Sequence, residues 1–319
     1  MPSIPTPGVW VPVPTFFTPT GALDTATQAA HSLHLVRNGI AGIVLLGSTG
    51  EAVHLSRAER SEMISAVRAA LNQNGFEGYP LMAGTMAGTV GETVELLVEA
   101  GEAGAQFGLV LAPGYFAGQV SQANVEAWYS AVADASPLPI LIYHYPGVSN
   151  NIQISMETFE RLSTHPNIVG AKFSHGNISH HAQVALSPKI AHKMFRLYSG
   201  QGQQLLPVVM VGGAGVIDGL AATFPKTVVR LYQLATTLPM TEEALVEARQ
   251  LQWLVSKASE LVCVKWAVVG IKECVARVLG MGNLEGGRLP IKGCVKDIGG
   301  NWAAVEQTIE ELVSVEKSL

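Results

Sequence analysis

The segment NIVGAKFSHG places Lys172 directly after residues suited to a buried strand. An ammonium there is costly unless it is paired or loses its proton. The side chain either snorkels out of the strand end and pairs with a carboxylate, or burial lowers its pKa. A neutral amine so produced can attack a ketone and form a Schiff base. Tyr143 ends LPILIY, 29 positions earlier. A phenol both donates and accepts, so it suits proton transfer to a substrate hydroxyl, although packing alone also places tyrosines at such ends. Tyr115, in APGYF, faces the same choice between relaying protons through Thr49 and packing. Ser48 and Thr49 stand in the glycine-flanked loop Gly47-Ser48-Thr49-Gly50-Glu51. That loop is either a tight turn or a nest of backbone N–H groups for a carboxylate. Lys265, in LVCVKWAVV, is a rival lysine, but its helical pattern favours packing or pairing.

These residues need a frame that brings them together. Apolar strand signals recur at 9–13, 42–46, 81–84, 108–111, 139–143, 168–173, 195–199 and 213–217. Helical patterns fill the gaps, and Ser56 with Glu59 forms a capping-box signature. Strands alternating with helices predict βαβ units and a parallel sheet. Eight of them predict a (β/α)8 TIM barrel over 1–223, with an α-helical extension over 224–319 packed on it. Catalytic groups of such barrels sit at the C-terminal strand ends. Ser48 and Thr49, Tyr115, Tyr143 and His144, Lys172, Gly200 and Ile217 all fall at or just beyond such ends.

Composition narrows the class. Of 319 residues, 48% are hydrophobic and 14% charged, enough for a large core, and the net charge of −5 gives no basic face for nucleic acid. Such low charge also suggests surface buried between subunits, hence a homo-oligomer. Three cysteines with no framework spacing fit free thiols in a reducing, cytoplasmic setting. The N-terminal residues have no secretion pattern, and no apolar run reaches the roughly 18 residues of a membrane span.

The motifs PVPTFFTPTGALD, GSTGE, AGT, APGYF, YHYP, GAKFS, GGAGVIDG and GRLPI span nearly the whole chain. Together they resemble the dihydrodipicolinate synthase/N-acetylneuraminate lyase family of class I pyruvate aldolases. The resemblance implies that Lys172 is the Schiff-base lysine and Tyr143 the proton-transferring residue. It implies that Ser48 and Thr49 hold the carboxylate of pyruvate, with Thr49 linking toward Tyr115, and that Gly200 and Ile217 line the pocket. It also implies dimers or tetramers.

The chain departs from the dihydrodipicolinate synthases where an arginine follows the motif proline by two residues. Val148 stands there, which removes a bidentate carboxylate contact and disfavours lysine biosynthesis. The YHYP segment looks more like the Tyr-Asn-Tyr-Pro of 2-keto-3-deoxy sugar acid aldolases, and KFSHGNISHH and SGQGQQL are similar to fungal 2-keto-3-deoxy-L-galactonate (L-threo-3-deoxy-hexulosonate) aldolases. That likeness makes Ser174, His175, His144 and Gln201 partners for sugar hydroxyls. The expected substrate is a small 2-keto-3-deoxy sugar acid, split into pyruvate and an aldehyde, with 4-hydroxy-2-oxoglutarate as the alternative. The expected chemistry is a covalent imine on Lys172 without cofactor or metal. His175, His180 and His181 match no trusted ligand spacing, and GGAGVID lacks the last glycine of a dinucleotide fingerprint. A non-catalytic homologue that binds sugar acids remains the reading from a different class.

Overall fold

In the computed structural model, which describes residues 2–319, strands and helices alternate from the start. They are β1 (Gly8–Pro12), α1 (Thr25–Arg37), β2 (Gly42–Leu45), α2 (Arg57–Gln73), β3 (Leu81–Thr85) and α3 (Val90–Glu102). Next come β4 (Phe107–Leu111), α4 (Gln122–Ala135), β5 (Ile140–His144), α5 (Met156–Leu162), β6 (Ile168–Phe173) and α6 (Ile178–Leu186). The series continues with β7 (Arg196–Ser199), α7 (Leu205–Met210), β8 (Gly215–Ile217) and α8 (Pro225–Thr236), which packs against β1. The strands pair in parallel in chain order and β8 closes on β1, giving the predicted barrel. Beyond it run α9 (Glu242–Ser259), α10 (Ala267–Leu279) and α11 (Glu306–Ser318). A π-helical segment, Glu260–Lys265, joins α9 to α10.

The helix starts follow local chemistry. Asp24, Ser56, Thr89, Ser121, Ser155, Asn177 and Thr241 each accept a backbone N–H of the first turn they precede. The capping box at Ser56 forms as expected, with Glu59 accepting the Ser56 N–H at 2.9 Å. Arg288, in the late GRLPI motif, bonds the carboxylate of Glu59 and the His54 carbonyl, tying the tail to the start of α2.

Inside the barrel, Trp10, Val44, Met82, Leu109, Leu141, Val169, Tyr198 and Ile217 form one buried cluster. The bottom is closed by Thr6, whose carbonyl accepts from Trp10 Nε1 and Tyr198 Oη, both at 2.9 Å. The β5–β6 pairing contains a register shift: Ile140 lies opposite Ile168, but Leu141 lies opposite Gly170. The extra residue, a bulge in β6, sets Tyr143 opposite Lys172. Without it Tyr143 would face Ala171.

A buried ion pair joins tail and barrel. Glu51, at the end of the GSTGE loop, has left-handed backbone with φ 51° and a fully buried carboxylate. Lys272 of α10 binds that carboxylate at 2.8 Å, and His54 stands 3.4 Å away. Breaking a buried pair from one side leaves a desolvated charge and costs about 3–5 kcal/mol. Lys272→Ala is therefore expected to lower stability by about 3 kcal/mol in urea unfolding with an unchanged m-value. A change below about 1 kcal/mol would show that the pair does not hold the loop.

Candidate active site

The mouth of the barrel encloses a cavity of about 210 Å³. Its walls are Pro12, Ser48, Thr49, Tyr143, Tyr145, Val148, Lys172, Ser174, Gly200, Gln201, Gln203 and Gly219. Its roof comes from the tail: Cys263 and Val264 of the π-helical segment, with Ala267, Val268 and Ile271 of α10. The residues expected from sequence thus divide into two sets. Lys172, Tyr143, Ser48, Thr49, Ser174, Gly200 and Gln201 line the cavity; Tyr115, Ile217, His144 and His175 do not.

Lys172 is only 4% exposed although it carries an amine. Its Nζ lies 3.4 Å from Tyr143 Oη and 4.4 Å from the centre of that ring. Burial pulls its pKa down to about 7, and Asp218 opposes part of that fall. Asp218 is itself buried, and burial raises its carboxyl pKa. The Gly202 N–H at 3.0 Å and the Ala221 N–H at 3.1 Å hold its two oxygens. Gly200 keeps the lysine free to extend, since a Cβ there would stand 2.9 Å from Lys172 Cε. Lys265 is exposed, which removes it as a rival.

Tyr143 accepts this amine on one side and meets Ser48 Oγ at 3.4 Å on the other. Burial raises its pKa, while hydrogen bonds from Ser48 and Ser174 work against that rise. A chain of polar contacts therefore runs Lys172–Tyr143–Ser48 across three strand ends. The N–H groups of Ser48 and Thr49 donate to no other group among the described residues. The loop carrying them is fixed by Thr15 Oγ1, which donates to the Gly50 carbonyl at 2.6 Å. This fits the nest reading of GSTGE.

The four outliers have physical reasons. His144 follows Tyr143 on β5, and successive strand residues point to opposite faces. Its ring packs on Phe159, Phe173 and His175 outside the barrel, so neither histidine faces the cavity. Ile217 is fully buried among the interior residues beneath the cavity. Tyr115 is 86% exposed, edge-on to Phe116, and lines a neighbouring groove with Val53 and Pro113 that shares Ser48 and Val148 with the cavity. Sequence reasoning missed Tyr145, Gln203, Asp218 and the whole roof. Asp218 sat at a strand end, where its type alone marked it, but the tail carried no signal linking it to the mouth.

A family model described as "Dihydrodipicolinate synthetase family" matches residues 5–301. A protein of Emericella nidulans named "Probable 4-hydroxy-2-oxoglutarate aldolase, mitochondrial" is 36% identical, over 98% of this chain and 97% of its own. An L-threo-3-deoxy-hexylosonate aldolase of Hypocrea jecorina is 35% identical, over 100% of this chain and 99% of its own. Among solved structures, a prophage protein of E. coli K12 from the dihydrodipicolinic acid synthase family, crystallised with pyruvate, superposes with a TM-score of 0.81. It is 25% identical, over 98% of each chain.

The depressed lysine pKa has a direct chemical readout. Cyanate is small enough for this cavity and carbamylates only neutral amines. Near pH 7 it is expected to modify Lys172 ahead of the exposed lysines. The rate should titrate near pH 7, and lower still in Asp218→Asn, where the opposing carboxylate is gone. Peptide mapping that finds Lys172 reacting no faster than surface lysines would contradict this picture.

Proposed function

The chain belongs to the dihydrodipicolinate synthetase family, and we propose that it is a Schiff-base aldolase, an aldehyde-lyase splitting a 2-keto-3-deoxy sugar acid. The preferred substrate is L-threo-3-deoxy-hexulosonate, and the products are pyruvate and L-glyceraldehyde. One observation carries the reading: a buried amine with pKa near 7 stands 3.4 Å from a phenol in the cavity at the barrel mouth.

In this scheme the neutral Lys172 amine adds to the C2 ketone and the Tyr143 phenol gives up its proton as water leaves, so that a protonated imine and a Tyr143 phenolate result. Tyr143 takes the proton of the C4 hydroxyl, the C3–C4 bond breaks, and its electrons pass into the iminium to give an enamine. The aldehyde departs. Protonation of the enamine at C3 and hydrolysis of the imine then release pyruvate and restore the amine. Ser48 and Thr49 hold the substrate carboxylate so that C2 stays beside Nζ, the positioning effect of an intramolecular reaction. Ser48 passes the Tyr143 proton onward, and Tyr115 stays assigned to a relay with Thr49. The imine serves as electron sink, so the scheme needs no cofactor.

The cavity wall favours a neutral hydroxylated tail over a second carboxylate. Hydroxyl and amide groups come from Tyr145, Ser174, Gln201 and Gln203, whereas no arginine lines the cavity and Lys172 is its single cation. A dicarboxylate such as 4-hydroxy-2-oxoglutarate leaves its second charge unpaired there. The Emericella relative's printed name keeps that substrate as the second reading. We also assign the enzyme to the cytoplasm and to a homo-oligomer. The exposed Tyr115–Phe116 pair supports association, and the three free cysteines fit a reducing compartment.

Borohydride with pyruvate is expected to attach a stable adduct to Lys172, detected by mass, and Lys172→Ala to lose both adduct and cleavage. Tyr143→Phe should keep the adduct but lower kcat by about 10²–10⁴-fold, the worth of a positioned proton carrier. Pyruvate release should be faster from the sugar acid than from 4-hydroxy-2-oxoglutarate. Full cleavage by Lys172→Ala would end the covalent scheme, and the reverse substrate order would install the second reading.

A further inference from the structure

Outside the cavity, on the other face of the same strand ends, His144 of β5, His175 of the following β6 loop and His180 of α6 converge. One ring nitrogen from each lies within 4.8 Å of those from the other two. Their ring centres are 4.8, 5.5 and 5.3 Å apart. His144 is 1% exposed. His144 Nδ1, His175 Nε2 and His180 Nε2 are all buried without a hydrogen-bond partner. A buried polar atom left unpaired is costly, so three in one place call for an occupant. Burial holds the His144 pKa at about 3 and that of His175 at about 4, and lowers that of His180. All three rings are therefore neutral at pH 7, the protonation state in which imidazole ligates a metal.

We propose that His144, His175 and His180 form a binding site for a borderline divalent transition metal, Zn²⁺ foremost, with a fourth position open to water. Three imidazoles with no carboxylate in the group select such ions over Mg²⁺ or Ca²⁺. Zn–N bonds of about 2.0–2.1 Å in a tetrahedron put the nitrogens about 3.4 Å apart, so loading draws the rings together by up to about 1.5 Å. The surroundings supply part of an outer shell. Ligation of His144 through Nδ1 requires its proton on Nε2, and the neighbouring Ile152 carbonyl favours a proton on that ring. The Ile154 N–H reaches His144 Nε2 only at 3.4 Å, a weak contact. His175 Nδ1 accepts the Asn177 N–H at 3.2 Å, and ligation through Nε2 exchanges that bond for a proton on Nδ1. His181 Nδ1 donates to the Asn177 carbonyl at 2.9 Å. Its Nε2 is likewise buried and unpartnered, but it lies outside the three-nitrogen group.

The site does not touch the cavity. It joins the residue after Tyr143 to the residue after Ser174 and to the first turn of α6, and so staples the mouth from behind. This inference stands apart from the aldolase reading, because metal binding is measured without any substrate. Protein stripped with a chelator and titrated with ZnCl₂ is expected to take up one equivalent and to unfold at a higher temperature. Co²⁺ in its place should give visible d–d bands of a nitrogen-ligated site. His180→Ala should weaken Zn²⁺ binding by more than the 10- to 100-fold seen on losing an outer-shell partner, while adduct formation at Lys172 persists. His175→Asn gives a second reading of the same loss should His180→Ala fold poorly. No stoichiometric Zn²⁺ uptake, or uptake unchanged in both variants, would overturn the proposal.

Discussion

Keeping one amine dry and uncharged is the constraint around which the rest of the molecule is arranged. A lysine held at a pKa near 7 instead of 10.5 opposes folding by about 4 kcal/mol at neutral pH. The sign follows from proton counting. The unfolded chain keeps this proton up to about pH 10.5 and the folded chain only to about 7. Folding therefore releases a proton between those values, and stability rises with pH across that window. The barrel offsets the cost with its apolar interior of Trp10, Leu141, Val169 and Ile217. Asp218 sets how far the shift goes: it is close enough to oppose full neutralisation, and its own oxygens are occupied by backbone N–H groups.

The geometry that makes the amine useful depends on one irregularity. In an even ladder Tyr143 would lie beside an alanine; the bulge in β6 brings it beside Lys172. Gly170, which follows the unpaired Val169 of the bulge, has no room for a side chain, because a Cβ would press on the Arg196 backbone. From there onward alternation applies strictly. Tyr143 and Lys172 point in, His144 and Phe173 point out, and two distinct polar centres arise back to back on neighbouring residues.

Much of this was legible in the chain. The eight strands showed as apolar runs, and the α2 start showed in Ser56 and Glu59 because its chemistry is local. Lys172, Tyr143, Ser48 and Thr49 could be placed on one rim because strand ends locate themselves. His144 and His175 were read as cavity residues because residue type outweighed strand parity. Parity alone would have turned His144 outward, and the parity of its neighbour Tyr143 was already in hand. The roof could not be read at all. Cys263, Val264 and Ile271 look like any amphipathic helix, and their approach to the mouth depends on the π-helical segment and on Lys272 meeting Glu51, contacts between residues over 200 positions apart.

That roof separates two properties which many enzymes encode together. The reacting groups rise from strands whose register, once set, cannot drift without losing Tyr143 from Lys172. The surface above them, from Cys263 to Ile271, belongs to helices anchored elsewhere and free to change one side chain at a time. Divergence among relatives can accordingly retune which aldehyde fits while the bond-breaking step stays intact, and a library confined to nine tail positions would explore selectivity without revisiting the chemistry.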